Sequence, residues 1–447
     1  MKKTLALVLA LLMFASLAAC GGGATPTPTP ATTAPTPTPA TDAPAATDTA
    51  TPSAAPVTLT YVDWNTQDFH DQMKAALAQA LPNITLQDQI IGGSDYSAQL
   101  NTMIAAGNAP DVFVCQLADY LNFARNGYLM DVSNQPSIAT MAKVPAVQQA
   151  FTVNGKVYGY MMNSGGGPCP IFYNKAFFDA NGLTVPTTMD EFNQLCEKIK
   201  SLGVMPMVFG GKDAWTLQQL FGSMAWSSAF AANPQMNEAI ANGTAKPSDY
   251  YTEVFNQEAD WVAKGYIGKD CLTMDYGQSQ QYFADGKAAM MPQGPWLTKE
   301  TIITTAEQDA SKFQLAAFAL PIDPINGVVH DVGSPDKIIC VSATTKHPEE
   351  ALQFFDFFSS PEFNKTFLKL DGSTTILPIT YDINPIVQPF YAWLSSSAVQ
   401  LTFAQTYSAP AFDPTYLQNI LAGSPASTEL ASFDSTIATM QNQFIKN

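Results

Sequence analysis

The sequence predicts an α/β protein in which a doubly wound sheet forms each of two lobes. Between residues 57 and 114, strand patterns alternate with amphipathic helical patterns in the order β-α-β-α-β, which is typical of a parallel sheet. The same alternation starts again after residue 186. About 390 residues follow residue 56, and because a domain holds roughly 150 residues, we expect two lobes.

The first half of the chain carries a distinct signal for each element. Residues 57–62 are typical of a strand, and apolar side chains then recur at helical spacing until Pro82 ends the helix. A strand that begins at Ile84, a helix that ends near Gly107 and a strand over 111–114 follow. This order predicts a parallel sheet in the first lobe.

The second half repeats the alternation after a glycine-rich segment. A strand over 157–161 leads into the sequence N-S-G-G-G-P at 163–168, which we interpret as a passage between lobes. Thr188 and Glu191 have the spacing of a capping box, so we expect a helix to begin there. Further predicted elements are strands at 205–209, 313–320 and 338–341 and a helix that opens at Pro348.

The first twenty residues predict a secretion signal. Two lysines precede an apolar run over 5–17, which is too short for a stable membrane span. The sequence L-A-A-C at 17–20, followed by three glycines, resembles a bacterial lipoprotein processing site. We therefore expect residues 1–19 to be a signal peptide and Cys20 to be lipidated, and the alternative is an ordinary signal peptide with an incidental cysteine.

Residues 24–56 consist almost entirely of Thr, Pro and Ala, so they cannot bury a core. We interpret residues 20–56 as the lipidated cysteine and an extended tether. The folded part would then stand at the cell surface, on the outer face of the cytoplasmic membrane. An adhesive surface protein on a stalk would account for the tether but not for two α/β halves.

Charge and composition narrow the choice of ligand. The formal net charge is −17, which argues against binding of nucleic acid or of acidic lipid head groups by simple attraction and favours an uncharged ligand. Beyond Cys20 the five cysteines are odd in number and scattered, so no disulfide framework is implied. The three histidines lie apart from one another and from the cysteines, and we expect neither a metal site nor a cofactor.

Enzyme motifs are missing from the sequence. There is no G-x-S-x-G elbow, and the sequence G-G-K-D at 210–213 lacks the spacing and the hydroxyl residue of a phosphate loop. A secreted glycosidase is the main alternative, because 38 acidic residues could supply the two carboxylates that it needs. We expect no catalytic residue and no enzymatic activity.

Four stretches stand in a fixed order along the folded part. They are A-P-D-V-F with N-G-Y-L within 109–129, Y-G-Y to I-F-Y-N-K over 158–175, V-P-T-T-M-D-E-F over 185–192, and G-K-A-A-M-M-P-Q-G-P-W over 286–296. Together they resemble the family 1 extracellular solute-binding proteins of ABC importers, the branch that contains maltose-binding protein. Met189 departs from the pattern, since the family usually has Trp at that position.

The resemblance implies two lobes of the periplasmic-binding-protein-like, type II kind, joined by a hinge and closing on a ligand. The N-terminal lobe would comprise 57–161 plus 314–345, and the C-terminal lobe 162–313 plus 346–447. The implied role is capture of a sugar or oligosaccharide and delivery to the transmembrane permease subunits of an ABC importer. A polyol or a sugar phosphate stays open as the solute, and we expect the protein to be a monomer.

A sugar exposes hydroxyl groups around its rim and C–H faces above and below, so its site needs flat aromatic rings and directional polar groups. Parallel sheets bind ligands beyond the carboxyl ends of their strands. The candidates at those ends are Trp64, Asn65, Asp68, Gln116 and Asp119. The resemblance adds Trp215, Trp296 and Tyr416 as aromatic contacts and Asn163, Asp331 and Asp336 as polar contacts.

Overall fold

The computed structural model describes residues 55–165, 169–321, 334–390, 414–441 and 444. The predicted signal peptide, Cys20, the tether up to residue 54 and Asp331 lie outside the described residues. Every helix within the described ranges is too short or too polar to cross a membrane.

Strands and helices alternate through the described part, as the sequence predicts. The strands are β1 (Val57–Asp63), β2 (Ile84–Ile90), β3 (Val112–Cys115), β4 (Thr152–Val153), β5 (Lys156–Val157), β6 (Gly159–Met161), β7 (Ser164–Gly165), β8 (Pro170–Asn174), β9 (Met205–Met207), β10 (Ala288–Pro292), β11 (Leu315–Ala319), β12 (Ser334–Pro335) and β13 (Ile338–Val341). The helices are α1 (Gln67–Ala80), α2 (Gly93–Ala105), α3 (Leu117–Arg125), α4 (Ile138–Met141), α5 (Pro145–Phe151), α6 (Lys175–Ala180), α7 (Met189–Ser201), α8 (Trp215–Leu217), α9 (Ser223–Ala232), α10 (Met236–Ala241), α11 (Ser248–Lys264), α12 (Tyr276–Ala284), α13 (Thr301–Ala306), α14 (Pro348–Ser359), α15 (Pro361–Asp371), α16 (Thr415–Ala422) and α17 (Ala426–Met440).

The first large sheet has the strand order β2-β1-β3-β13-β6. Strand β1 pairs in parallel with β2 and β3, which confirms the parallel β-α-β-α-β unit. Strand β13 is antiparallel to both β3 and β6, because it returns to this sheet from the opposite end after the chain has formed the second one. The first sheet is therefore mixed rather than parallel throughout.

The second large sheet has the strand order β11-β8-β10-β9. Strand β8 is antiparallel to β10 and β11, and β10 is parallel to β9. Helix α7 begins where the sequence predicts, since Thr188 Oγ1 accepts a hydrogen bond from the backbone N–H of Glu191 at 3.2 Å. The Glu191 carboxylate accepts from the backbone N–H of Thr187 rather than from that of Thr188, so only half of the predicted capping box forms.

Each large sheet has its own hydrophobic core, and two segments pack differently from what the predicted lobe boundaries imply. The segment 314–345 was assigned to the first lobe, but β11 hydrogen-bonds to β8 in the second sheet. The segment 346–447 was assigned to the second lobe, but Phe354 of α14 and Phe367 of α15 are buried in the first core. Local sequence patterns do not reveal on which core a helix packs, because that depends on the path of the chain between the sheets.

The chain passes between the two large sheets at a small two-stranded sheet. Strand β7 pairs antiparallel with β12, and Ser164 of β7 also forms a bridge with Thr374. Three distant segments of the chain thus run side by side next to Asn163, where the predicted passage at 163–168 begins. Gly165 is needed there because a Cβ atom on it would lie 2.8 Å from the Cβ of Asp336.

Candidate functional site

Lys337 lies directly before β13 at the centre of a buried polar cluster, and only 9% of its side chain is exposed. Its Nζ atom donates a hydrogen bond to Asn65 Oδ1 at 2.5 Å and a second one to Asp371 Oδ1. The same ammonium lies 5.6 Å from the centre of the Trp64 ring, which is within the range of a cation–π interaction. The end of β1, the start of β13 and the end of α15 therefore meet at one side chain.

Asn163 extends this cluster from the crossing. Its Oδ1 atom accepts a hydrogen bond from the backbone N–H of Lys337 at 2.8 Å. Its Nδ2 atom lies 3.4 Å from a carboxylate oxygen of Asp336 and 3.4 Å from one of Asp371. Gln116, which directly precedes α3, lies close enough to Asp336 to lower the pKa of that carboxyl. We call the side chains of Trp64, Asn65, Gln116, Asn163, Asp336, Lys337 and Asp371 the polar cluster.

Charge pairing keeps Lys337 protonated although it is buried. Burial alone would lower the pKa of Lys337, but the carboxylates of Asp371 and Asp336 raise it above its usual value. Burial also raises the pKa of Asp336, and the charge of Asp371 adds to the rise, while Lys337 and the hydrogen bonds from Asn163 and Gln116 oppose it. The polar cluster thus contains one ammonium group, which forms an ion pair with Asp371 and is also stabilised by the charge of Asp336.

Asp63, the last residue of β1, determines which way the Asn65 amide points. The Asp63 carboxylate accepts from the backbone N–H of Asn65 at 2.9 Å and from its Nδ2 atom at 2.6 Å. Since a carboxylate only accepts, the amide nitrogen of Asn65 must face Asp63, and the amide oxygen is left to face Lys337. The tight turn after β1 therefore orients one face of the polar cluster.

An aromatic group forms on segments that border the second sheet. The ring of Trp215 lies 4.9 Å from that of Tyr276 in an edge-on arrangement and 6.4 Å from that of Trp296. The Tyr276 hydroxyl donates a hydrogen bond to Glu300 Oε1 at 3.1 Å. We call Trp215, Tyr276, Trp296 and Glu300 the aromatic group, and all four side chains are partly exposed.

The aromatic group lies next to the polar cluster. Burial raises the pKa of Glu300, and the charge of Asp371 adds to that rise while Lys337 opposes it, so these three groups are close enough to interact. Gly372 follows Asp371 with a positive φ of 71°, and a Cβ atom on it would lie 3.2 Å from Trp296 Cα. The C-terminal end of α15 thus connects the two sets of side chains.

The structure brings most of the sequence-predicted residues into these two sets. Five of them belong to the polar cluster, namely Trp64, Asn65, Gln116, Asn163 and Asp336. Two more, Trp215 and Trp296, belong to the aromatic group. Residues that follow β1 and β3 in sequence are therefore neighbours of residues that precede β13, as expected for side chains at strand ends.

Three predicted residues lie outside both sets. Asp68 is exposed in the first turn of α1 and accepts a hydrogen bond from a side chain on the same helix. Asp119 accepts hydrogen bonds from the Ser97 hydroxyl at 2.6 Å and from Asn101 Nδ2 at 2.9 Å, so it joins α3 to α2. Tyr416 is buried in the second core, where its ring stacks on Phe433 at 5.0 Å. These positions give the three side chains structural partners.

Sequence reasoning missed four members of the site: Tyr276, Glu300, Lys337 and Asp371. Lys337 directly follows a predicted residue and precedes a predicted strand, so its position was a usable signal. Asp371 stands before Gly372 at the end of a helix, which marks a turn but does not reveal that the turn faces the site. Tyr276 is the first residue of α12 and Glu300 directly precedes α13, and neither position carries a motif that distinguishes it from other helix starts.

Comparison with known protein families agrees with the fold. The model of the family described as bacterial extracellular solute-binding protein matches residues 63–365. This match covers well over half of the chain, and the chain therefore belongs to that family.

Individual relatives give the same result. A multiple sugar-binding protein of Streptococcus mutans is 29% identical over 317 residues, which cover 67% of this chain and 73% of the relative. Among solved structures, RafE from Streptococcus pneumoniae in its apo form is 24% identical with a TM-score of 0.63, over 87% of this chain and 99% of that one. RafE in complex with raffinose is likewise 24% identical, with a TM-score of 0.68 over 86% of this chain and 100% of that one. The structural similarities establish the type II solute-binding fold.

Proposed function

We propose that this protein captures a saccharide between its two lobes and presents it to the permease of an ABC importer. The observation that carries the proposal is the closeness of the aromatic group to the polar cluster. Aromatic rings can cover the C–H faces of a sugar, while carboxylates, amides and an ammonium group can bond its hydroxyls. A saccharide needs both kinds of surface at once.

The charges of the site favour a neutral sugar over a sugar phosphate. Asp336, Asp371 and Glu300 are three carboxyl groups around one ammonium, that of Lys337. Lys337 already has carboxylate partners, so a phosphate would meet acidic groups without a free cation among the described residues of the two sets. The net charge of −17 acts in the same direction at longer range.

The names of relatives support an oligosaccharide. The relative from Streptococcus mutans is named a multiple sugar-binding protein, and one structural neighbour holds raffinose. Another, a sugar transporter protein from Bacillus licheniformis, is 22% identical with a TM-score of 0.66 over 85% of this chain and 100% of that one, and it holds stachyose. Raffinose and stachyose are therefore the first ligands to try.

Capture would couple binding to lobe closure. A sugar that touches both the polar cluster and the aromatic group makes all of its contacts only when the lobes are close together, so binding shifts the equilibrium toward the closed form. The permease would then distinguish the closed form from the open one. The crossing at Ser164 and Thr374 would act as the hinge, because segments that lie between the strands of the two large sheets pair with each other there.

We also propose that the protein acts as a monomer held at the outer face of the cytoplasmic membrane. The support is the lipoprotein-like sequence around Cys20 and the Thr-Pro-rich tether after it. In cells that make the Cys20→Ala variant, the protein should move from the membrane fraction to the medium. An unchanged membrane fraction would contradict the anchor.

Calorimetric titration of the purified protein with raffinose and stachyose tests the proposed function. A polyol and a sugar phosphate serve as comparison ligands, and the sugars are recovered afterwards and analysed. We expect at least one oligosaccharide to bind and to be recovered intact. Cleavage of the sugar would indicate a glycosidase, and binding of the phosphate or the polyol alone would contradict the choice of solute.

A further inference from the structure

The polar cluster continues into the first lobe through a chain of charged groups that starts at the surface and ends at the buried side chains of His70 and Asp63. His70, on α1, is fully buried, and its Nε2 atom lies 2.6 Å from Asp63 Oδ1. Its Nδ1 atom lies 2.6 Å from Asp88 Oδ2, on β2. Lys74, one turn further along α1, approaches the same Asp88 carboxylate at 3.1 Å. Positive and negative groups therefore alternate from the surface to Asp63.

The geometry fixes the protonation of the imidazole ring. Ionised carboxylates only accept hydrogen bonds, so both ring nitrogens of His70 must carry a proton to bond Asp63 and Asp88 together. A neutral ring would turn one unprotonated nitrogen toward a carboxylate and lose that hydrogen bond. His70 is thus held as a cation between two anions.

Asp63 is the link between this cation and the ligand site. Its two oxygens accept hydrogen bonds from the ring of His70, the hydroxyl of Tyr61 at 2.7 Å, and the backbone and side-chain nitrogens of Asn65. Four donors match the lone pairs of one carboxylate, which leaves it a single orientation. The orientation of Asp63 sets that of the Asn65 amide, and Asn65 Oδ1 in turn receives the Lys337 ammonium.

We propose that His70, as a buried imidazolium, is a positioning residue for ligand binding: through Asp63 it holds Asn65 and Lys337 in the geometry that receives a saccharide. The inference rests on the proposed function only in taking the polar cluster as the ligand site. His70 itself touches no ligand, so its effect would pass through Asp63 alone.

The surroundings of the ring support this role. Burial alone would lower the pKa of His70, but the hydrogen bonds and charges of Asp63 and Asp88 raise it above its ordinary value. These carboxylates come from β1 and β2, with Lys74 of α1 behind Asp88 and the phenol of Tyr61 beside the ring. Tyr61 and Phe69 contact phenylalanine rings of α14 and α15, which do not titrate.

A ligand-free experiment tests the positioning directly. In protein labelled with ¹⁵N at histidine and tryptophan, three histidines and six tryptophans contribute signals, and the variants His70→Gln and Trp64→Phe assign the two that matter. At pH 7.5, where an ordinary histidine with a pKa of about 6.5 is mostly neutral, we expect both nitrogens of His70 to be protonated. The Trp64 indole signal should shift in His70→Gln and in Asp88→Asn but not in the control His347→Gln. A neutral His70, or an unmoved Trp64 signal, would overturn the proposal.

Binding supplies the second readout. For raffinose or stachyose, whichever the wild-type protein binds more tightly, His70→Gln should raise the Kd at least about tenfold, since a hydrogen bond to a charged group is lost. The side chain of Asp88 is partly exposed, so we expect the Asp88→Asn variant to fold. Removing this carboxylate lowers the pKa of His70. The variant should therefore lose more affinity at pH 7.5 than at pH 5.5. An equal loss at both pH values would overturn the role of the charge. If the wild-type protein binds neither sugar, the proposed function fails. The Trp64 and His70 signals still test whether His70 positions Asn65 and Lys337.

Discussion

Lys337 Nζ lies 2.5 Å from Asn65 Oδ1, although the two residues are 272 positions apart in the sequence. One contact therefore ties the first strand of the chain to the strand that returns from the second lobe. The same ammonium bonds Asp371, at the end of α15. Because all three side chains lie beside the crossing between the lobes, we expect the stability of the first lobe and the shape of the ligand site to depend on the same interactions.

Substitution of Lys337 by Met should destabilise the protein strongly. The change leaves the buried Asp371 and Asp336 carboxyls without their cation, and removal of one partner of a buried ion pair costs about 3–5 kcal/mol. Urea denaturation followed by circular dichroism measures the loss. The matched control is Lys287→Met, which breaks an exposed pair with Asp285 and should leave the midpoint nearly unchanged. Equal midpoints for the two variants would contradict the importance of the buried pair.

Substitution of Trp296 by Ala should weaken saccharide binding by about 1–3 kcal/mol, because the sugar loses an aromatic face. Calorimetry gives the affinity, and the melting temperature shows whether the variant is folded. Tyr128→Ala is the control, since that ring is 40% exposed and belongs to neither set of site residues. A folded Trp296→Ala variant with wild-type affinity would remove this side chain from the site.

Substitution of Gly372 by Ala should impair binding more than the same change at Gly127. Both glycines have a positive φ, of 71° and 73°, so both variants carry the backbone strain of about 1 kcal/mol that an L-residue meets there. A Cβ on Gly372 would lie 2.7 Å from Lys299 Cγ and 3.2 Å from Trp296 Cα, whereas one on Gly127 would meet no atom within 4 Å. The difference between the two variants isolates the steric effect of the new Cβ on the backbone at Trp296. Equal affinities would show that binding tolerates a shift of this backbone.

Substitution of Glu258 by Met should stabilise the protein at neutral pH. Glu258 is fully buried in the second core, and neither carboxyl oxygen has a hydrogen-bond partner among the described residues. Burial raises its pKa well above the usual 4.5, so as the pH rises past 4.5 the unfolded state loses this proton first and the stability of the wild-type protein falls. An apolar side chain of similar size removes a desolvation cost of about 1–3 kcal/mol.

The pH dependence separates this explanation from a general packing effect. The gain in the free energy of unfolding for Glu258→Met should be larger at pH 7 than at pH 4, where the carboxyl is mostly protonated in both states. Thermal melts of both proteins at the two pH values measure it. A gain that does not change with pH, or a loss at pH 7, would contradict the assignment of Glu258 as a buried neutral acid.

Local patterns were sufficient to predict one side of the site. The run of strand-forming residues predicts that β1 ends just before Trp64 and Asn65. Because β1 and β3 are parallel, Trp64 and Asn65 lie near the end of β3. Trp296 was found because a motif surrounds it. These features depend on residues close together in the sequence, so the sequence alone reveals them.

Long-range features escaped prediction for a physical reason. The antiparallel direction of β13 depends on where the chain re-enters the first sheet, which no local period encodes. The same holds for Asp371, which pairs with a lysine 34 positions earlier, and for Phe367, which packs on the first core although the sequence assigned it to the second. Tyr416 is a related case, since an aromatic residue that the family resemblance offered as a ligand contact is buried in the second core.

A crystal structure of the protein with raffinose or stachyose, whichever binds more tightly in calorimetry, tests most directly whether the two sets of side chains form one sugar site. We expect a sugar ring against the face of Trp296 and sugar hydroxyls within hydrogen-bonding distance of the polar cluster, with the Lys337–Asn65 contact retained. A sugar bound elsewhere on the protein, or one that touches the aromatic group without any polar-cluster residue, would contradict the proposed mode of binding.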